Sequence, residues 1–354
     1  MAAERDAHIH QLPLIPQSIL RRFRVLEKHD TRFRSCARLL QALWRERQGL
    51  PVGVHQGRDG RNRRIGSLLG ASAADAGRNF LSPAVANLVH REVAYQQRGA
   101  LIERRRLYGN LLSSQPLAFN LFAPLRFNLQ LAANVVRCLI PGIDVAKVLH
   151  VLFEHSPGRL DAELTGDRSS FDAAIIYERS DGQRGLIGVE MKYSESGSEG
   201  ARLDLGARFN ELAGRSELYR NSCSAVLRTP SLQQLSREHL LTFAAVRRGD
   251  YAEGRFLLIA PRHNHLIQQA ACLYSAHLEP ESSTVPFINL ELERVIEALG
   301  WCGEMDYAFA LHSRYLDWSK IDDLIDEALK AKSGNWALVA PTISRPLALV
   351  NKAA

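Results

Sequence analysis

Apolar and polar positions along the chain recur in two different rhythms, a helical one at the front and a mixed one in the centre. From Gln17 to about Gln48, Leu20, Phe23, Leu26, Leu39, Leu40, Leu43 and Trp44 return at three- and four-residue steps, which predicts helix. Residues 51–66 are rich in Gly and Arg and read as a loop that can track a phosphate backbone or merely connect. Residues 72–113 are mostly helical again. The segment 110–125 is dense in Leu and Phe and broken by Pro116 and Pro124, so it is expected to be a buried docking segment. Ser113, Ser114 and Gln115 inside it are expected to cap a helix or satisfy buried backbone rather than to catalyse. The run IDVAKVLHVLF (143–153) predicts a helix that delivers Glu154 at its C-terminal end and stops before Pro157.

The pattern then changes at Phe171. FDAAIIYE, the polar turn RSDGQ and RGLIGVEMKY alternate around Asp181-Gly182, a strong hairpin signal. Side chains two apart on a strand share a face, so Glu190 and Lys192 point one way and Val189, Met191 and Tyr193 the other. Asp172 lies nine residues before Asp181 and Glu190 nine after it, which makes the two carboxylates cross-strand neighbours within one position of register. Like charges gathered beside a lysine on a half-buried sheet cost free energy unless something binds there, and a divalent cation is the natural occupant. The bland reading of the same trio is a hairpin salt bridge worth at most about 1 kcal/mol.

Beyond the hairpin, helices are expected at 205–220, 231–247, 264–278 and 291–299, with strands at 255–261 and 285–291. Residues 303–330 add one or two helices, 331–354 read as a weakly ordered tail, and 1–16 as a loose lead-in. The order from 143 predicts a mixed α/β sheet with the hairpin at one side. The division expected is a basic, mainly helical region 1–140, a core 141–300 with a helical insertion at 195–254, and C-terminal helices and tail at 301–354.

Charge sharpens this division. Residues 1–110 hold 20 Lys and Arg against 9 Asp and Glu, whereas the rest holds 25 against 29. The excess is almost all arginine, whose forked donors match phosphate, so a polyanionic partner or simply a solvated basic surface follows. No apolar run has membrane-spanning length and no secretory core is visible, which makes the cytoplasm the expected address. Five scattered cysteines without a CxxC pair argue against a disulfide framework or structural zinc. No phosphate-cradling P-loop or GxSxG elbow occurs, so no nucleotide cofactor is expected. His263-Asn264-His265 is read as the opening of a helix, with Asn264 near its cap.

Asp172 followed by Glu190-x-Lys192 across a hairpin, with Glu154 upstream, resembles the PD-(D/E)XK nuclease superfamily, the fold of many restriction endonucleases. FEHSPGR (153–159), TGDRSSFD (165–172), GVEMKYSE (188–195) and SSQPLAFNLFAPL (113–125) resemble one bacterial, restriction-endonuclease-like branch of it, over roughly residues 65–300. Phe171 stands where the superfamily usually has proline. The resemblance implies an α/β core with a mixed central sheet flanked by helices. It makes Asp172, Glu190 and Glu154 metal-binding carboxylates, Glu154 being supplied by the first core helix, and makes Lys192 the motif lysine.

Such a site is expected to hold Mg²⁺, with Mn²⁺ able to substitute, and to hydrolyse DNA through metal-activated water. Arg159 and Arg168 flank it in order, either to grip the scissile phosphate or to pair with Glu163 and Asp167. Arg61, Arg63, Arg64, Arg104, Arg105 and Arg106 are candidate nucleic-acid contacts. A homodimer is compatible with this reading. The alternatives are a catalytically silent nucleic-acid-binding protein on the same fold, or a metal-dependent phosphohydrolase of a small substrate.

Overall fold

Hydrophobic faces of two periods have to be buried together here, and the solution is a five-stranded sheet with a layer of helices on each side. A computed structural model describes residues 11–57, 60–197, 205–279 and 284–333. Most of the lead-in, the centre of the loop after Tyr193 and the tail from 334 lie outside these residues.

The front part begins with helices α1 (Gln17–Arg22) and α2 (Arg32–Arg47), the latter capped by the Thr31 hydroxyl, which accepts from Arg34 N. Next come strands β1 (Val52–Gln56) and β2 (Asn62–Leu69), paired antiparallel. The loop expected over 51–66 is therefore a hairpin. Two of its glycines serve close packing: a Cβ on Gly66 would lie 2.0 Å from the Phe23 carbonyl oxygen, and one on Gly53 2.3 Å from that of Leu69. Helices α3 (Ala71–Asp75), α4 (Pro83–Ala94), α5 (Arg104–Gly109), α6 (Ser114–Phe127) and α7 (Leu129–Leu139) follow. In α6 every residue from Ser114 to Leu125 is buried, matching the docking role expected of that segment.

The central sheet begins with a correction. Residues 143–153 do not form a helix: Lys147–His155 is strand β3. Val148 pairs with Tyr177 and His150 with Ile176, leaving Leu149 as an extra residue, so a bulge brings Val148 and Val151 both to the buried side. That three-residue spacing imitates a helical period. Strands β4 (Phe171–Glu178) and β5 (Arg184–Met191) form the expected hairpin, with Gly182 at φ 81° in its turn.

Helices α8 (Gly206–Arg215) and α9 (Gln233–Arg248) lead to β6 (Glu253–Ala260). Then come α10 (His265–Ala276), β7 (Phe287–Glu291), α11 (Leu292–Trp301), α12 (Met305–Tyr315) and α13 (Ser319–Ser333). The strand order is β3-β4-β5-β6-β7, antiparallel over the first three strands and parallel over the last three. The hairpin thus occupies the second and third places, and β3 is the edge.

The two faces of the sheet bury different partners. Ala173, Ile175, Ile187, Val189 and Leu257 pack with the N-terminal and C-terminal helices. Ala174, Leu186, Phe256 and Leu258 pack with α8, α9 and α10. On the first side a buried polar network ties the ends of the chain to the motif strand. Gln41 of α2 donates to the Tyr193 hydroxyl (3.2 Å) and to the Arg314 carbonyl (2.9 Å), and the Tyr193 hydroxyl donates to the Tyr315 carbonyl (3.1 Å). Arg314 is fully buried, donates to Asn79 O (2.7 Å) and Gln41 Oε1 (3.3 Å), and lies 3.9 Å from the centre of the Trp44 ring.

Removing that guanidinium strands several acceptors at once in a low-dielectric interior. Arg314→Ala is expected to lower the unfolding free energy by about 3 kcal/mol or more. The measurement is the denaturant midpoint, and a loss under about 1 kcal/mol would show that the network carries little stability.

Candidate active site

Register makes this site. Phe153 pairs with Ala173 and His155 with Phe171, so Glu154 stands opposite Asp172; Ala173 pairs with Val189, so Asp172 stands opposite Glu190. Three carboxylates therefore lie in one row across β3, β4 and β5. Glu154 comes from a strand, not from the helix expected for it, and its backbone is left-handed at φ 47°, unusual for a glutamate. Its carboxylate accepts from Gln115 Nε2 (2.8 Å) and Ser170 Oγ (3.4 Å). Asp172 is half-buried and its Oδ2 accepts from Met191 N (2.9 Å). Glu190 and Lys192 are buried, with Lys192 Nζ 2.6 Å from Glu190 Oε1.

Helix α9 supplies the next layer. The Gln234 amide oxygen accepts from Lys192 Nζ (2.7 Å), and its nitrogen donates to Glu190 Oε1 (2.8 Å) and to Glu238 Oε1 (2.9 Å). One amide is thus oriented by an ammonium on one side and two carboxylates on the other. Glu238 is buried, and among the described residues its Oε2 lacks a hydrogen-bond partner, as does Gln115 Oε1. Glu195, also buried, accepts from Ser114 N (2.8 Å), Tyr193 N (2.8 Å) and Arg106 (3.3 Å). Asn264 donates to the Tyr193 and Glu195 carbonyls, fixing the turn that follows the motif.

The electrostatics follow from this crowding. Burial raises the Asp172 carboxyl well above the usual range, and the charges of Glu190 and Glu154 add to it. Burial, with Glu190, raises Glu154, and the same two causes raise Glu238 strongly. For Lys192 burial works downward, but Glu190, Glu195 and Asp172 outweigh it, so the ammonium stays charged. His155 at the end of β3 is pushed down to about 4 by burial and by Arg159, so it is neutral at pH 7.

The donor set suits a hard divalent cation: several carboxylate oxygens, held close together at an electrostatic cost, with acceptor atoms of Gln115 and Glu238 without partners among the described residues. Among the described residues no three His, Cys, Asp or Glu side chains are grouped, as they stand, so as to hold a metal ion. Lys192 takes one Glu190 oxygen, and Gln115 and Ser170 take those of Glu154.

The arginines expected near the site divide into three groups. Arg159 donates to the Glu154 carbonyl (2.8 Å) and the Arg168 carbonyl (3.1 Å), which braces the strained end of β3; Arg168 is exposed. Asp167 forms an ion pair with Arg237 (3.5 Å). Arg61, Arg63 and Arg64 are exposed along the β1–β2 hairpin, and Arg104 and Arg105 are exposed on α5, whereas Arg106 bridges to Glu195.

Sequence reasoning passed over Gln234, Glu238 and Glu195 and assigned Gln115 to structure alone. The available signal was polar residues among apolar ones on a largely buried helix: Gln234, partly buried, and Glu238, buried, lie four apart on a helix that also carries Leu235, Leu240 and Leu241.

Because the folded chain holds the Asp172 proton more tightly than an unfolded chain does, this group's stabilising effect is complete below about pH 4 and fades as pH rises through the raised value. Asp172→Asn removes that penalty. Its stability minus that of the wild type is expected to grow as pH rises above ~4 through the raised value, reaching about 1 kcal/mol or more, when melting is followed in EDTA. A difference that stays flat with pH would contradict the crowding described.

The model of the PD-(D/E)XK nuclease superfamily matches residues 28–317, most of the chain. No curated protein and no solved structure gives a match. No helix among the described residues is long and apolar enough to cross a membrane. The family match spans the sheet, the acidic row and the helices that enclose it, and the chain belongs to the PD-(D/E)XK nuclease superfamily.

Proposed function

We propose that the chain is a divalent-cation-dependent endonuclease that hydrolyses DNA phosphodiester bonds. The observation that carries this reading is the row Glu154, Asp172 and Glu190 with Lys192 hydrogen-bonded beside it. Asp172 and Glu190, with Glu154, would hold Mg²⁺ or Mn²⁺. When bound, such a cation supplies positive charge against the phosphoryl oxygens and a water of lowered pKa.

The chain's own groups do the remaining work. Lys192 is charged, so it acts as a donor, to the attacking water or to a non-bridging oxygen as charge builds on phosphorus. Gln234 accepts from the lysine and donates to Glu190, which keeps the ammonium and carboxylate in fixed relation. Glu238 accepts from the same amide and prevents it from flipping. Gln115 steadies Glu154 from the start of α6. Attack by water forms one P–O bond to phosphorus and breaks another, the water giving up a proton to solvent while the departing oxygen takes one from solvent.

The basic front of the molecule supports a nucleic-acid substrate, with arginine–phosphate contacts making binding steeply dependent on salt. DNA is preferred to RNA because the resemblance is to restriction-endonuclease-like proteins.

A supercoiled-plasmid nicking assay tests the reading. Nicking is expected with Mg²⁺ or Mn²⁺ and not with EDTA, and Lys192→Ala or Glu190→Gln should lower the rate by about 100-fold or more. Cutting that survives both chelation and substitution would refute the site. A parallel assay on a nucleotide analogue separates the small-substrate alternative: turnover there, with intact plasmid, would favour it.

A further inference from the structure

Two clefts adjoin along one side of the β1–β2 hairpin. The smaller, about 190 Å³, lies between the end of α1 and strand β2, with Arg21, Arg24 and Arg64 on its walls. The larger, about 450 Å³, shares Glu27, Arg63 and Ile65 with it and is walled by Arg34 and Arg38 of α2 and Arg106 of α5. Its inner end is Ser194 and Glu195, which follow the motif strand, and Glu195 is near enough to act on the Lys192 charge. The two clefts share a wall, and the larger one ends at Ser194 and Glu195, which directly follow the motif strand.

Seven arginines and two glutamates line the two clefts. The acids orient the forks rather than cancel them. Glu27 takes one nitrogen of Arg63 (2.5 Å) and Glu195 one of Arg106 (3.3 Å), while Asp30 holds Arg38 through two bonds (2.6 and 3.0 Å). The Arg63 side chain is 56% exposed and that of Arg106 38%, so both guanidinium groups reach solvent. Each retains further donors for phosphate oxygens. His55 is the one ring among the lining residues, so little is offered for stacking on bases.

We infer that these clefts form a track for a single unpaired nucleic-acid strand, gripped by its phosphates as it leaves the site past the hairpin. The inference rests on the nuclease reading and narrows its substrate. A concave path of this size admits a nucleotide-wide chain, whereas a duplex, with a major groove alone about 12 Å wide, can only lie across the rim. Recognition through phosphates makes the grip indifferent to sequence. A substrate combining paired and unpaired segments, such as a flap or overhang, fits both the site and the track.

The test uses the full chain in EDTA, so that binding is read without cleavage. Fluorescence anisotropy is measured with a labelled mixed-sequence single strand and a blunt duplex of equal length, over a salt series. The single strand is expected to bind about tenfold or more tighter than the duplex. Arg63→Ala/Arg64→Ala should weaken strand binding about tenfold at ~0.1 M salt and flatten the salt slope by roughly 1.4. Arg215→Ala/Arg247→Ala, equally exposed on α8 and α9, should leave both unchanged, and melting checks that both variants fold.

Equal affinity for strand and duplex, or equal losses in the two variants, would overturn the track even if plasmid is cut. Strand binding that follows the predicted pattern in a protein that cuts nothing with any metal would uphold the track and refute the nuclease reading.

Discussion

Carboxylates crowded into a poorly hydrated pocket are the constraint around which this molecule is arranged. Glu154, Asp172 and Glu190 occupy one row of the sheet, and Glu238 faces them from α9. Left alone, such a group of anions would repel and draw in protons. The surroundings answer it with one ammonium and several amide donors, each held from a different element: Lys192 after β5, Gln234 on α9, Gln115 at the start of α6, and the Met191 backbone N–H. Strand register, helix placement and side-chain identity all serve the same charge balance. That balance is incomplete, since Asp172, Glu154 and Glu238 remain raised, and the deficit is what a cation would fill.

The front and rear of the chain matter because they close the other face of the motif strand. Tyr193 shares its hydroxyl with Gln41 from α2 and the Tyr315 carbonyl from α12. Arg314 joins Gln41 to Asn79, and Asn120 on α6 donates to the Tyr315 hydroxyl (2.9 Å). Elements far apart in sequence thereby meet one residue beyond Lys192. A disturbance in α2 or α12 has a short physical route to the lysine, through Tyr193 and the turn held by Glu195 and Asn264.

Much of this was legible in the residues. The hairpin and the opposition of Asp172 to Glu190 followed from strand alternation and an Asp-Gly turn, both local properties. Glu154 was picked out, but its strand was read as a helix, because one inserted residue at Leu149 turned an alternating pattern into a three-residue one. The arginine- and glycine-rich stretch after α2 was read as a loop, because composition does not reveal that Gly53 and Gly66 face neighbouring backbone. Gln234, Glu238 and Glu195 escaped because their roles depend on distant partners. A partly buried glutamine on a helix has no meaning until the strand beneath it is known. The family model, spanning residues 28–317, accords with the motif reading and says nothing of these added groups.

The left-handed turn at Glu154 has a second effect, on the border of the sheet. Strand β3 is outermost, so one row of its backbone donors and acceptors has no neighbouring strand in the sheet. An inserted residue near its start and a reversed φ near its end break the regular spacing that an incoming strand from another molecule would need. The distortion that sets the first carboxylate of the row therefore also makes this border a poor template for edge-to-edge pairing.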